Sequence, residues 1–255
     1  MKKLVVGNLK MNLLSIKERS TYLALIKKEL GVKKLKDIEL VLCPPFIHLE
    51  AFEKLGKKIK LGAQDVFAEN SGSYTGEISP LMLKNFACEY VIIGHSERRR
   101  YFSENDHEIN VKIVAALKNN LKPILCVGET LMEKDSHKTL KVITAQVKEA
   151  LYEVSASQME RVVIAYEPIW AVGADVAPKT NEVMEARLLI RKILVDLYGV
   201  EIAQSVNILY GGNVTTGTVM DVCLKADMDG VLIGRESLHP HQFVKIAEMI
   251  NENKK

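Results

Sequence analysis

The 255-residue sequence predicts a single α/β domain over residues 1–255, a closed (β/α)8 barrel of parallel strands surrounded by helices. Short apolar runs rich in β-branched residues alternate with longer amphipathic stretches, without a linker or a break in composition. This alternation predicts parallel strands, because parallel neighbours need a crossover. Roughly eight such units in about 250 residues favour a closed barrel. An open doubly wound sheet is the alternative, and the lack of G-x-G-x-x-G after the first strand counts against it.

The predicted strands are the eight apolar runs at 4–6, 38–43, 59–63, 90–93, 124–127, 162–165, 206–209 and 231–233. Helices are predicted where apolar residues recur at spacings of three and four. One helix follows the candidate N-cap Ser103, and the third and seventh crossovers look short, at 81–86 and 219–224. The predicted buried helix faces consist of Ile109, Ile113, Ala116 and Leu117; of Val142, Ala145, Val147 and Leu151; and of Val183, Ala186, Ile190, Ile193 and Leu197.

The composition is that of an ordinary globular protein, with 47% hydrophobic and 26% charged residues. A formal net charge of +3 with interspersed signs argues against a nucleic-acid binder and allows a small anionic substrate. The densest basic run, at 98–100, is typical of a solvated or salt-bridged face. No window is long and apolar enough to span a membrane, so no membrane partner is expected. Four scattered cysteines and no signal peptide predict reduced thiols and a cytoplasmic location.

Polar or glycine residues follow nearly every predicted strand. Active sites of (β/α)8 barrels lie where strands end and the following loops begin, so these residues should meet at one rim. They are Asn8 and Lys10, Gln64 and Asp65, His95 and Glu97, Glu167, Gly211, Gly212 and Asn213, and Gly234 and Arg235.

Glu167 is the most informative of these residues. It stands where the apolar run 162–165 ends, and Pro168, which has no N–H to donate, stops the ladder directly after it. Trp170 follows close behind. A carboxylate that loses water in such a place becomes a stronger base, so the segment predicts a general base. A surface glutamate in a strand-to-helix turn is the alternative.

Seven motifs along the chain resemble the triosephosphate isomerase family and follow one another in the family's order. They are GNLKMN at 7–12, GAQ at 62–64, YTGEIS at 74–79, IIGHSER at 92–98, CVGET at 126–130, AYEPIW at 165–170 and YGG at 210–212. The resemblance covers essentially the whole chain. It implies a TIM barrel and the interconversion of dihydroxyacetone phosphate and D-glyceraldehyde 3-phosphate through an enediolate.

The resemblance also implies roles for single residues. Glu167 would remove the proton next to the carbonyl, and a neutral His95 would polarise the carbonyl oxygen and move protons on the enediolate, in a family that is a standard example of paired acid–base chemistry. Lys10 would supply positive charge, Asn8 would position the substrate and Glu97 would orient Lys10. No cofactor is implied, because side chains alone can transfer a proton between adjacent carbons.

Glycine-rich turns before helices can bind phosphate through backbone N–H groups. The expected phosphate-binding residues are Asn8, Lys10, Gly173, Gly212, Asn213, Gly234 and Arg235. The loop at 74–76 resembles the family's protruding loop, which enters a neighbouring subunit. By that analogy the protein is a homodimer with Met11 and Thr75 at the interface.

Three positions depart from the family pattern. The lid at 173–178 reads GADVAP rather than GTGKTA, Asn213 replaces a serine, and Arg235 replaces a second glycine. These changes keep open an alternative, an isomerase of four-carbon ketose phosphates on the same scaffold. Asp65 replaces the commoner asparagine and is interpreted as structural, and Cys126 as a packed core thiol.

The sequence gives weaker support to two further classes of function, a phosphate-loop nucleotide binder and a non-catalytic scaffold. Residues 173–180 come within one residue of a phosphate-binding G-x-x-x-x-G-K-[ST] loop, but Pro178 stands in place of the glycine. A barrel kept only as a scaffold would need a degraded acid–base set, and Asn8, Lys10, His95 and Glu167 are all present. No metal site is predicted, since His239 and His241 have no other ligand at a suitable spacing.

Overall fold

A computed structural model describes residues 2–31, 33–172 and 178–253 of the chain, without the side chain of Lys57. Eight strands form a closed barrel in which each pairs in parallel with its neighbours in the chain and the last returns to the first. The predicted (β/α)8 fold is therefore confirmed. The strands are β1 Lys3–Asn8, β2 Ile38–Cys43, β3 Lys60–Ala63, β4 Cys88–Ile93, β5 Lys122–Val127, β6 Val163–Tyr166, β7 Asn207–Tyr210 and β8 Gly230–Ile233.

Helices cover the outside of the barrel. The α-helices are α1 Ile16–Leu30, α2 Leu49–Glu53, α3 Pro80–Asn85, α4 Ser96–Phe102, α5 Asp106–Lys118, α6 Leu131–Asp135, α7 Thr139–Ala150, α8 Thr180–Tyr198, α9 Val200–Ser205 and α10 Pro240–Glu252. The two short helices predicted in the third and seventh crossovers are confirmed, since α3 has six residues and a six-residue π-helix, Met220–Lys225, precedes β8. No helix in the described part of the chain is long and apolar enough to cross a membrane.

Apolar side chains fill both the inside and the outside of the barrel. The interior cluster consists of Leu4, Val6, Val41, Cys43, Tyr90, Ile92, Ile124, Cys126, Val163, Ala165, Leu209 and Leu232. A larger cluster packs the strands against the surrounding helices. Because the interior is packed rather than open, polar side chains can gather only at the ends of the strands.

The predicted N-cap of the fourth crossover is wrong. Ser103 ends α4 in the left-handed conformation, with φ of 56°. Asn105 begins α5 instead. Its side chain accepts a hydrogen bond from the Glu108 N–H, and the Glu108 carboxylate accepts one from the Asn105 N–H. This reciprocal pair satisfies two N–H groups of the first turn. An unpredicted helix, α4, occupies the residues just before it.

Two predicted helix faces need correction. On α7 the buried residues are Ile143, Val147 and Ala150, while Val142 is half-buried and Ala145 is exposed. Val147 and Leu151 are therefore buried as predicted, whereas Ile143 and Ala150 take the buried places expected for Val142 and Ala145. On α8 the predicted face is buried from Val183 to Ile193, but Leu197 is exposed.

The charged and thiol groups largely follow the predictions. All four cysteines are buried free thiols. In the basic run, Arg98 pairs with Asp65 at 2.9 Å and Arg99 with Asp106 at 2.5 Å. Asp65 also pairs with Lys112 at 2.9 Å, which agrees with a structural role for Asp65.

Candidate active site

A cavity of about 410 Å³ lies at the carboxyl ends of the strands. Most of the residues predicted from the sequence to form the site line it, and they come from loops far apart in the chain. Gly173 lies outside the described residues. The predicted residues that line the cavity are Asn8, Lys10, His95, Glu97, Glu167, Gly212, Asn213, Gly234 and Arg235.

Glu167 is 2% exposed and follows β6 directly. One carboxylate oxygen, Oε2, accepts a hydrogen bond of 3.1 Å from the backbone N–H of Ser96. The other, Oε1, lies 3.3 Å from Nε2 of His95, and no described residue donates a hydrogen bond of normal geometry to it. One oxygen is thus fixed while the other remains able to accept a proton.

Two glycines make room for Glu167. A Cβ on Gly211 would lie 2.8 Å from the Glu167 Cγ, and a Cβ on Gly128 would lie 1.9 Å from its carbonyl oxygen. The backbone around Glu167 is also fixed, because its N–H donates to the Val127 carbonyl at 2.8 Å. Gly211, which was expected from the sequence to lie at the rim, therefore has a clearance role that the sequence did not reveal.

His95 begins α4 and its ring is oriented by the backbone. Nδ1 accepts a hydrogen bond of 3.2 Å from the Glu97 N–H. Because an accepting ring nitrogen carries no proton, the ring proton of the neutral imidazole lies on Nε2, which faces Glu167. His95 can therefore donate a proton into the cavity and take one back.

Lys10 directs its ammonium group into the same space. Its Nζ donates to Glu97 Oε1 at 2.6 Å, and its backbone N–H donates to Asn8 Oδ1 at 3.0 Å. Its φ of 51° is in the left-handed region, which costs a non-glycine residue on the order of 1–3 kcal/mol. Gln64 holds this conformation by donating to the Lys10 carbonyl at 2.9 Å. The surrounding contacts thus stabilise a strained residue in the wall of the cavity.

The turns after β7 and β8 form the side of the cavity where phosphate was expected. Gly212, Asn213 and Gly234 are half-buried there, and Arg235 is exposed. A Cβ built on Gly234 would lie 3.8 Å from Lys10 Nζ, so this turn borders the ammonium group. The arrangement can place an anionic group beside a cation and next to two backbone turns.

Two residues near Glu167, Ser96 and Glu129, were not given a role from the sequence. The Ser96 N–H fixes Glu167, as described above. Glu129, 1% exposed, accepts hydrogen bonds from the Tyr166 hydroxyl at 3.1 Å and from the Trp170 indole at 2.9 Å. Glu129 belongs to the CVGET motif at 126–130, which is one of the motifs behind the resemblance, but no role was assigned to this glutamate. The packed thiol of Cys126 lies beside Glu167, and burial, followed by that neighbouring carboxylate, raises the pKa of the thiol.

The remaining positions singled out from the sequence lie at the surface of the isolated chain. Met11 is 88% exposed in the isolated chain, and Thr75 is exposed as well. His239 and His241 are exposed, and His241 contacts Glu29 at 3.3 Å. No group of three or more metal-ligating side chains occurs within the described ranges.

The amino-acid sequence of the chain matches a family of known proteins. The family model described as triosephosphate isomerase matches residues 3–250. A triosephosphate isomerase of Clostridium tetani is 44% identical over 248 residues, 96% of each chain. That of Dictyoglomus turgidum is 46% identical over 222 residues, covering 86% of this chain and 89% of the relative. That of Alkaliphilus oremlandii is 43% identical over 247 residues, covering 96% and 98%.

Proposed function

The chain belongs to the triosephosphate isomerase family, and we propose that its reaction is carried out by Asn8, Lys10, His95 and Glu167. The enzyme is an intramolecular oxidoreductase that interconverts dihydroxyacetone phosphate and D-glyceraldehyde 3-phosphate, a step of glycolysis and gluconeogenesis. The tetrulose phosphate alternative gains no support from these relatives, which are triosephosphate isomerases by name.

The observation that carries the assignment is the pair formed by Glu167 and His95. The free oxygen of a buried carboxylate lies 3.3 Å from the imidazole nitrogen that holds the ring proton. A base and an acid are therefore side by side at the mouth of the barrel. Proton transfer between two adjacent carbons of a sugar phosphate needs a base and an acid placed in this way.

In the proposed reaction, Glu167 Oε1 takes a proton from C1 of dihydroxyacetone phosphate. The electron pair of that C–H bond forms the enediolate double bond, and negative charge develops on the C2 oxygen. His95 Nε2 gives this oxygen its proton and regains one from the C1 hydroxyl. Glu167 then returns its proton to C2, which leaves the aldehyde at C1.

Lys10 and Asn8 act on the charge that develops during this transfer. The ammonium of Lys10 stabilises the oxyanion in a site that is partly closed to water, where such an interaction is stronger than in bulk solvent. Asn8 holds the backbone of Lys10 through its side-chain oxygen. Glu97 orients the Lys10 ammonium, which its 2.6 Å contact supports.

The substrate phosphate is proposed to bind at the turns after β7 and β8. The two turns would bind it partly through backbone N–H groups, with Gly212, Asn213 and Gly234 next to the phosphate, and Arg235 would add a guanidinium at the rim. Lys10 borders this side, as its distance to Gly234 indicates. Gly173 is proposed as a further phosphate contact from the resemblance alone.

A homodimer is proposed through the loop at 74–76, with Met11 and Thr75 in the interface. In the isolated chain, large apolar side chains are exposed on the segments that follow β1, β2, β3 and β4. A partner of the same chain would cover them. They are Met11, Leu14, Ile47, Tyr74, Leu81, Met82, Phe86 and Phe102.

A cytoplasmic location is proposed as well. The four cysteines are unpaired, which suits a reducing compartment.

The proposed function is tested by a coupled assay of the purified protein on D-glyceraldehyde 3-phosphate and, separately, on a tetrulose phosphate. We expect fast turnover of the triose that 2-phosphoglycolate, an enediolate-like anion, inhibits competitively. Negligible turnover of the triose beside fast turnover of the tetrulose would contradict the proposal. The variant His95→Gln should lower kcat strongly while the far-ultraviolet circular dichroism stays unchanged.

A further inference from the structure

The only tryptophan of the chain, Trp170, is held on two sides by groups of opposite charge. Its indole N–H donates to Glu129 at 2.9 Å. The Lys134 ammonium lies over the face of the ring, 3.3 Å from its centroid. A cation over the face and a carboxylate at the N–H edge both match the charge distribution of an indole. The ring is therefore fixed in position and in orientation.

Lys134 makes a second contact that joins it to another helix. Its ammonium donates to Glu182 Oε1 at 2.6 Å, in the first turn of α8. The other oxygen of Glu182 accepts the Lys179 N–H at 2.8 Å, at the start of the same helix. Lys134 thus connects α6, the turn that contains Trp170 and the beginning of α8.

The turn that carries Trp170 leads directly to the base. Only Pro168 and Ile169 separate Glu167 from Trp170, and the ring of Pro168 restricts the backbone, with φ of −60°. The Ile169 N–H donates to the Glu129 carbonyl at 3.1 Å. A shift of the Trp170 ring would therefore pass along a short, restrained segment to the backbone of Glu167.

We propose that Lys134 is a positioning residue of this enzyme, which acts through Trp170 to keep Glu167 in place for proton transfer. The inference rests on the proposed role of Glu167 as the base. Lys134 does not line the cavity, so it has no direct part in the chemistry or in substrate binding. Its effect should fall on kcat rather than on KM.

The energies of these contacts separate this role from general stabilisation. Lys134 and Glu182 have side chains that are 31% and 36% exposed, and a pair in such a setting adds little to folding. An exposed cation–π contact is also modest. Loss of Lys134 should therefore leave the fold intact, while a small displacement of a catalytic group can have a large effect on the rate.

The test compares Lys134→Met, which keeps much of the stem and removes the charge, with Lys134→Arg, which keeps the charge. Lys134→Gln is a second neutral variant. Lys192→Met is the matched control, because it removes an exposed lysine that pairs with Asp196 at 2.9 Å on the outer side of α8. For each variant, kcat and KM are measured together with acrylamide quenching of the Trp170 fluorescence.

We expect both neutral variants to lower kcat by about threefold to tenfold, with KM within about twofold of the parent value. Quenching by acrylamide should rise because the ring loses the group that covers its face. Lys134→Arg should keep kcat and acrylamide quenching close to the parent values, and Lys192→Met should change neither quantity. Unchanged kcat and quenching in the neutral variants, a change in KM alone, or no rescue by arginine would overturn the proposal. An inactive parent would instead contradict the proposed function, since quenching does not depend on activity.

Discussion

Glu167 occupies its place because the neighbouring residues leave space for it. The Ser96 N–H holds one carboxylate oxygen, and glycines at 128 and 211 allow the backbone and the side chain to approach other strands. The sequence pointed to Glu167 as the base, because an apolar run ends there beside a proline. It did not reveal the role of the glycines, because a close approach between two strand ends is visible only in three dimensions.

The clearance at Gly211 gives a first prediction. Gly211→Ala would place a Cβ 2.8 Å from the Glu167 Cγ and displace the carboxylate. A displacement of about 1 Å can cost on the order of 100-fold, so kcat should fall by about 10-fold to 100-fold. Gly217→Ala is the control, since its Cβ would meet only Thr215 Oγ1, at 3.6 Å. Equal kcat values in the two variants would argue against the clearance role.

The cysteines give a prediction about pH. Burial raises the pKa of Cys88 and of Cys223 to about 12, and raises the pKa of Cys43 and Cys126 well above the usual value. A raised thiol pKa means that little thiolate forms as the pH increases to 9, and the thiolate is the reactive species. The folded protein should therefore react slowly with a disulfide reagent between pH 7 and 9, and four thiols should react in denaturant. Rapid reaction of a thiol in the native state would contradict this burial.

At the scale of secondary structure, the sequence located the strands better than the helix ends. Buried strands are short apolar runs, and all eight were found within a few residues of their observed bounds. The cap of α5 was misplaced because Ser103 and Asn105 are both good caps by type. The backbone decides between them, since Ser103 already ends α4 in a left-handed conformation.

Capping gives a prediction at this scale. Asn105→Ala should lower the free energy of unfolding by about 1 kcal/mol, because the Glu108 N–H loses its acceptor. Ser103→Ala should have an effect of only a few tenths of a kcal/mol, as Ser103 does not cap α5. Urea denaturation followed by circular dichroism measures both. A larger loss for Ser103→Ala than for Asn105→Ala would mean that the helix starts where the sequence first indicated.

For the whole molecule, closure of the barrel explains how residues from distant loops share one cavity. Parallel strands all end at the same rim, so polar residues after β1, β4, β6, β7 and β8 meet there. This convergence could be predicted from the sequence because it depends only on topology. The homodimer does not follow from topology and is expected only from the resemblance, since an exposed Met11 has the same sequence pattern in a monomer as in a dimer.

The proposed assembly gives a prediction about mass. Light scattering during size-exclusion chromatography should give the parent protein twice the 28.6 kDa of one chain. Met11→Glu should shift the protein towards the monomer, because a charge would be buried without a partner at the interface. Met132→Glu, which changes an exposed methionine on α6, should remain a dimer. A parent protein that elutes as a monomer would contradict the homodimer.

The role of Glu167 as the base is tested most directly by Glu167→Asp, which draws the carboxylate back by one methylene. We expect kcat on D-glyceraldehyde 3-phosphate to fall by at least about 100-fold, with circular dichroism and the unfolding midpoint close to those of the parent. In deuterium oxide, the incorporation of solvent deuterium into dihydroxyacetone phosphate should slow by the same factor. A variant that is folded, turns over as fast as the parent and exchanges deuterium equally fast would show that the base is another residue.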